Sequence, residues 1–186
     1  MKTRILALTL ALLFVVQLAY ATVPSVTTAD LYTAEVTKLD GTPVANVGAA
    51  IDPMTPTSIE VLNDITAATA GGQSITSGYF AGQQVAIRNV LPAGTDLNAL
   101  QLKELASLTV PGYTQDMGDL KLTLSFPTTF DMFKPVVVLV GLVVGDVIIW
   151  QVVPAVVNVD GSITIDMPAA LLLQVQAGNA VISILQ

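Results

Sequence analysis

The stretch Pro135–Ile165, PVVVLVGLVVGDVIIWQVVPAVVNVDGSITI, decides the fold. Its charges are Asp146 and Asp160, each beside a glycine, as Gly145-Asp146 and Asp160-Gly161. Two structures compete for it. One is a membrane helix of about 20 apolar residues; the other is a run of buried strands cut by turns. A helix over residues 135–157 would hold Asp146 near its midpoint, at a cost of about 2.5–3.5 kcal/mol. It would also carry Gln151 and Pro154, with no basic residue marking its C-terminal flank. Val and Ile dominate, and their stiffness at χ1 favours strands. The residues therefore read as a strand over 136–140, a turn over 141–145 and a strand over 146–152. Strands over 155–159 and 162–166 follow, flanking an Asp160-Gly161 hairpin turn. Runs with no polar alternation imply cover on both faces, as in the central strands of a sandwich.

Outward from this stretch, Leu120–Phe126 (LKLTLSF) alternates strictly and reads as a half-buried strand. Asn98–Leu108 is ambiguous. Its composition favours helix, yet Leu100 and Leu102 tolerate a strand, and the reading leans to a strand or irregular segment stopped by Pro111-Gly112. Residues 74–80 and 84–90 read as strands around Ala81-Gly82-Gln83. Thr57 and Glu60 stand at capping-box spacing. Ile59, Leu62 and Ile65 recur at helical spacing, which predicts a short helix over 58–68 ended by Gly71-Gly72. Residues 31–38 form a strand, Asp40-Gly41 a turn and 44–51 its returning partner. Downstream, 167–174 is a short helix or loop, and 179–185 a final strand free to pair at its edge with another chain. The fold class is all-β: an antiparallel β-sandwich, Ig-like or related, with one or two short helices. Residues 31–186 form this domain, with a division into two sub-halves near 72–95 as the alternative.

The N-terminus reads as a targeting segment. Lys2 and Arg4 precede an apolar core, and Ala19-Tyr20-Ala21 supplies a signal-peptidase site. Residues 1–21 are thus a signal peptide, cleaved after Ala21, and 22–30 a flexible leader. An uncleaved anchor is the alternative. The expected destination is secreted, extracellular or envelope-associated, with no transmembrane span in the mature chain. The loss of Lys2 and Arg4 takes the net charge from −7 to −9. Such a surface repels phosphate backbones, which argues against nucleic-acid partners. The chain has no cysteine, and its length suffices to bury a core without staples.

Neither His nor Cys is present, which removes His-based triads, thiol nucleophiles and most Zn, Cu and haem ligation. No catalytic residue or cofactor is indicated. The candidate Ca²⁺ ligands are Asp116, Asp119 and Asp131, with Asp146 or Asp160 to join them. No Asp-x-Asp-x-Asp loop supports them, and solvated turn carboxylates are the plainer reading. The candidate ligand-binding aromatics are Tyr113, Phe130 and Phe133; Phe126, Phe130 and Phe133 cluster around Pro127, where they either make an exposed patch or close the sandwich. Trp150, in an apolar strand, reads as core.

The order of apolar strand, Gly141-Leu142, Gly145-Asp146, a strand with Trp150, Val153-Pro154-Ala155 and Asp160-Gly161-Ser162 resembles the β-sandwich modules of secreted and cell-surface proteins of Gram-positive bacteria. The resemblance implies a non-enzymatic structural, adhesive or accessory role at the cell surface, with an extracellular protein or glycan as partner. A sortase-type ending is missing, so direct wall anchoring is not expected. A carbohydrate- or calcium-binding module is the alternative, and a small carboxylate-dependent hydrolase a third.

Overall fold

The computed structural model describes residues 31–186 except 177 and 179. The expected signal segment and leader lie outside the described residues. The strands are β1 (Thr33–Lys38), β2 (Ala50–Asp52), β3 (Leu102–Thr109), β4 (Leu120–Ser125), β5 (Val137–Val144), β6 (Val147–Val153), β7 (Ala155–Val157), β8 (Ile163–Met167) and β9 (Ala180–Leu185). The helices are α1 (Pro56–Thr69), α2 (Gln84–Val90) and α3 (Ala169–Val175). The protein is mostly β, with two antiparallel sheets ordered β1-β4-β8-β7 and β2-β3-β9-β5-β6.

The apolar stretch is strands. No helix among the described residues is long and apolar enough to cross a membrane. β5 runs unbroken through Gly141, which corrects the expected turn over 141–145. The turn is only Gly145-Asp146, with Gly145 at φ 62°. A positive φ at the first central position is what a two-residue type II′ hairpin needs, and glycine adopts it without strain.

β5 and β9 explain why the sequence shows no alternation there. Val138, Val140 and Leu142 of β5 and Ile182 and Ile184 of β9 face one way. They share a buried cluster with Leu120, Leu122 and Leu124 of β4 and Ile163, Ile165 and Met167 of β8, so this cluster draws on both sheets. Val137, Leu139, Val181 and Leu185 face the other way. They meet Val61 and Ile65 of α1, Ile87 of α2, and Ile75, Phe80, Leu97 and Leu100 of the intervening loops. Each large aliphatic side chain buried this way contributes about 1.5–3 kcal/mol.

β4 buries Leu120, Leu122 and Leu124 and half-exposes the residues between, as its alternation required. Several other expectations are corrected. Residues 44–51 do not return beside β1. Only Pro43 bridges Thr37, β1 pairs with β4, and β2 pairs with β3. Residues 74–80 are turns and 84–90 is α2, so neither is a strand. The β-branched residues of QVAIRNV suggested a strand, but burial of the Ile87 face against the sheet overrides that weak propensity. The helix predicted over 58–68 is α1, yet its cap is Thr55, not Thr57. Thr55 Oγ1 accepts from the Ser58 N–H at 3.1 Å, and Pro56 takes the first turn, where its missing N–H costs nothing. The Thr55 hydroxyl also hydrogen-bonds Ser107 of β3, tying the helix start to the sheet. Finally, β9 is central, flanked by β3 and β5, so it is not a free edge.

Two features of this fold are testable. Ser183 lies in the middle of β9, fully buried, and its hydroxyl has no hydrogen-bond partner. Ser183→Ala should stabilise the fold by about 1 kcal/mol, read as a rise in thermal midpoint. In the β7–β8 turn, Asp160 accepts from the Ser162 hydroxyl at 2.6 Å and from its N–H at 2.9 Å. Those bonds hold its carboxyl below its ordinary value of 3.8. A depressed folded-state pKa gives stabilisation that is present above the ordinary value and lost as pH falls through the folded one. Asp160→Asn should therefore flatten part of the acid-side loss of thermal midpoint, in melts taken from neutral pH down to about 2.

Candidate functional site

α1 lays Val61 and Ile65 on the sheet, so Glu60 and Asp64, one turn apart, flank that contact at the surface. The chain then turns back along residues 73–80. Asn98 holds this loop, its Oδ1 accepting from the Ser74 and Ser77 hydroxyls at 2.8 and 2.9 Å. The buried Thr76 hydroxyl donates to the Leu97 carbonyl at 2.9 Å. Held this way, the loop delivers Tyr79 and Phe80 to β6. The two rings meet edge-on at 4.9 Å, and each meets Trp150 edge-on, Phe80 at 5.0 Å and Tyr79 at 6.0 Å.

Trp150 needs a gap across the strand pair. Its partner in register is Gly141 of β5. A Cβ on Gly141 would lie 2.7 Å from the Ile148 side chain and 2.8 and 2.9 Å from the Trp150 ring. The glycine therefore opens the space where the indole lies, an arrangement by which aromatic side chains compensate strand glycines. Trp150 is half-buried, not fully enclosed as expected, because β6 is an edge strand and the helical cover is incomplete there.

Between α1 and the β5–β6 hairpin this leaves an open groove of about 450 Å³. Tyr79, Trp150, Val147 and Ile148 give it an apolar wall, and Glu60, Asp64 and Asp146 bring three carboxylates. Burial pushes the Tyr79 phenol above its ordinary range. The neighbouring Trp150 side chain opposes the shift and the Asp64 charge adds to it. None of the three carboxylates has an ion-pair partner among the described residues, where the one pair is Lys134–Asp131 at 3.9 Å. The groove is thus a negative, partly aromatic surface with unspent charge.

The residues singled out from sequence fall elsewhere. Tyr113 is fully buried, and its hydroxyl donates to the Gly118 carbonyl at 2.9 Å. Phe130 is buried too, edge-on to Phe126 at 5.7 Å. Both belong to the cluster that draws on the two sheets, which corrects the reading of Tyr113 as a ligand-facing aromatic and, for Phe130, selects the core position over the exposed patch. Phe133 alone of the three is open, 88% exposed, on a turn where its N–H donates to Asp131 Oδ1 at 2.9 Å. Asp119 accepts from the Ala169 N–H at 2.8 Å at the start of α3, and Asp116 lies exposed in the short 3₁₀ turn Gln115–Met117. Among the described residues no group of three or more acidic side chains converges to hold a metal ion.

Sequence reasoning had named Asp146, but as a Ca²⁺ ligand, and had missed Glu60, Asp64 and Tyr79. The i,i+4 acids bordering the Ile/Val face of α1 were a visible signal for the first two. Nothing marked Tyr79 while its segment read as a strand. Comparison of the chain with protein-family models, curated proteins and solved structures finds no match.

Gly141→Ala should cost about 1–3 kcal/mol, because the new methyl has to displace Ile148 and the indole. The chain has one tryptophan, so a shift in its emission would report the displaced ring directly.

Proposed function

We propose that residues 31–186 are a non-enzymatic accessory or adhesive β-domain, and that the groove beside Trp150 grips a ligand presenting an ammonium or guanidinium group. The observation that carries this reading is the pairing of aromatic faces with three carboxylates that no basic side chain among the described residues neutralises. A cation over an indole or phenol face gains about 0.5–1 kcal/mol at exposed sites and more where water is excluded. Nearby carboxylates add to that attraction. The groove's volume lies in the range of small-ligand clefts.

The proposal extends to architecture and location. The two sheets form a sandwich, with α1 and α2 covering the outer face of the five-stranded one. β1, β4, β8 and β7 take the order of strands A, B, E and D of an immunoglobulin-like sandwich, and β6, β5 and β9 that of C′, C and F. The place of strand G, beside β9, is held by β3 from earlier in the chain, so the fold is related to that class by strand order with one substitution. The signal segment 1–21 directs export, with cleavage after Ala21, and places the domain at or near the cell surface, in keeping with the resemblance to Gram-positive surface modules.

The single tryptophan makes the test direct. At fixed protein concentration, spermidine or a lysine-containing tripeptide should change its emission saturably. Added salt should weaken the effect, and combining Glu60→Gln with Asp64→Asn should abolish it. An equal response to an uncharged chitin disaccharide would move the assignment to neutral sugars, and no response to any of the three would refute the groove as a ligand site.

A further inference from the structure

Four strands stand at sheet edges: β1 and β7 in one sheet, β2 and β6 in the other. Free edges pair with other chains unless they are blunted by charge, proline, shortness or cover. Three of these edges are blunted. β1 carries Glu35 and Lys38, and the chain folds back over its end through the Thr37–Pro43 bridge. β2 has three residues and runs into Asp52-Pro53. β7 has three residues and follows Pro154.

β6 has none of these devices within its length, Asp146 and Pro154 lying just outside its two ends. Its sequence, VIIWQVV, holds no charge, proline or glycine over seven residues. Such a strand spans about 24 Å. Val147 and Ile149 on it are 63% and 51% exposed. Its free hydrogen-bonding groups follow from the hairpin. Val144 and Val147 close a two-residue turn and so form a hydrogen-bonded pair. Pairs alternate along an antiparallel ladder, so Ile149, Gln151 and Val153 also bond to β5, while Ile148, Trp150 and Val152 direct their N–H and C=O groups away from it. Among the described residues no other backbone group bonds to the N–H or C=O of these three.

We infer that β6 is a self-association edge, on which a second copy of this chain pairs antiparallel about a two-fold axis at Trp150. Trp150 meets Trp150 of the copy, and Ile148 meets Val152. Ile149 meets Gln151, and Val147 meets Val153. Every pair keeps its side chains on matching faces, as a residue-centred register requires. Asp146 falls opposite Pro154, outside the paired segment, so no like charges are set face to face. The two five-stranded sheets become one continuous sheet, through the isologous interface that a two-fold dimer needs. A second copy is favoured over a foreign extended peptide because β6 meets itself with apolar side chains at every paired position except Ile149 against Gln151, and no charge lies within the paired segment. Both copies are acidic, so added salt should strengthen the pairing, opposite to its effect on cation binding in the groove.

The experiment is sedimentation equilibrium of the protein over a range of concentrations. The wild type should be a dimer that dissociates on dilution. Ile149→Lys should weaken association by about tenfold or more, and Glu35→Lys on the β1 edge should leave it unchanged. The chain has no cysteine, which allows a register test that does not depend on the lysine variant folding. An oxidised mixture of Ile149→Cys and Gln151→Cys chains should yield mixed covalent dimers well above either variant alone. A wild type monomeric at every concentration, dissociation by Glu35→Lys in place of Ile149→Lys, or cross-linking no greater in the mixture would each overturn the assignment.

Discussion

β5 and β9 have no polar face. Side chains alternate along any strand, so a strand that is apolar at every position has to be covered from both sides or leave half its surface in water. That requirement arranges the rest of the chain. The sheet of β1, β4, β8 and β7 contributes the Leu and Ile rows that meet one face. The helices and turns of residues 56–100 exist, in energetic terms, to meet the other. Even the polar groups serve this cover: Thr55, Thr76 and Asn98 spend their hydrogen bonds pinning the helical layer to itself and to β3.

The candidate site lies where that cover runs out. The helical layer shields β9 and β5 fully, then thins over β6, so Trp150 surfaces on one side of its strand while Ile149 surfaces on the other. Gly141 makes this arrangement compatible with a regular sheet, since any larger residue would collide with the indole. The groove and the unguarded edge are two results of one cause: a strand chosen for a buried sheet has been placed at its margin.

Much of the sheet was legible in the sequence because its signals are local. Strict alternation marked β4, the Asp160-Gly161 pair marked the β7–β8 hairpin, and a charged residue with proline nearby separated strands from a membrane helix. The helical layer was not legible. Residues 74–90 carry Ile, Tyr, Phe and Val, which suit a strand, and they become turns and α2 only because the sheet beneath supplies a face for Ile75, Phe80 and Ile87. Misreading that layer hid Tyr79. The same tertiary dependence explains the other aromatics. Tyr113 and Phe130 lie outside the strands, in segments with no alternation to show which way they point, and both fold under into the cluster that draws on the two sheets. Gly141 looked like a turn residue for a related reason: sequence shows the glycine but not the ring lying across it.

β9 is the last of the nine strands among the described residues, yet it stands in the middle of its sheet. β3 and β5, its neighbours, begin at Leu102 and Val137 and share no ladder with each other. Until residues 180–185 have been synthesised, the five-stranded sheet is two unconnected pairs whose apolar faces lack the width to hold either cover. The chain therefore gains little by folding as it emerges from the ribosome, and its non-local pairings make the final closure slow. A nascent or truncated product that stops short of β9 is not a smaller domain. It lacks the strand that joins β3 to β5, and the apolar positions of both strands are left without their neighbour.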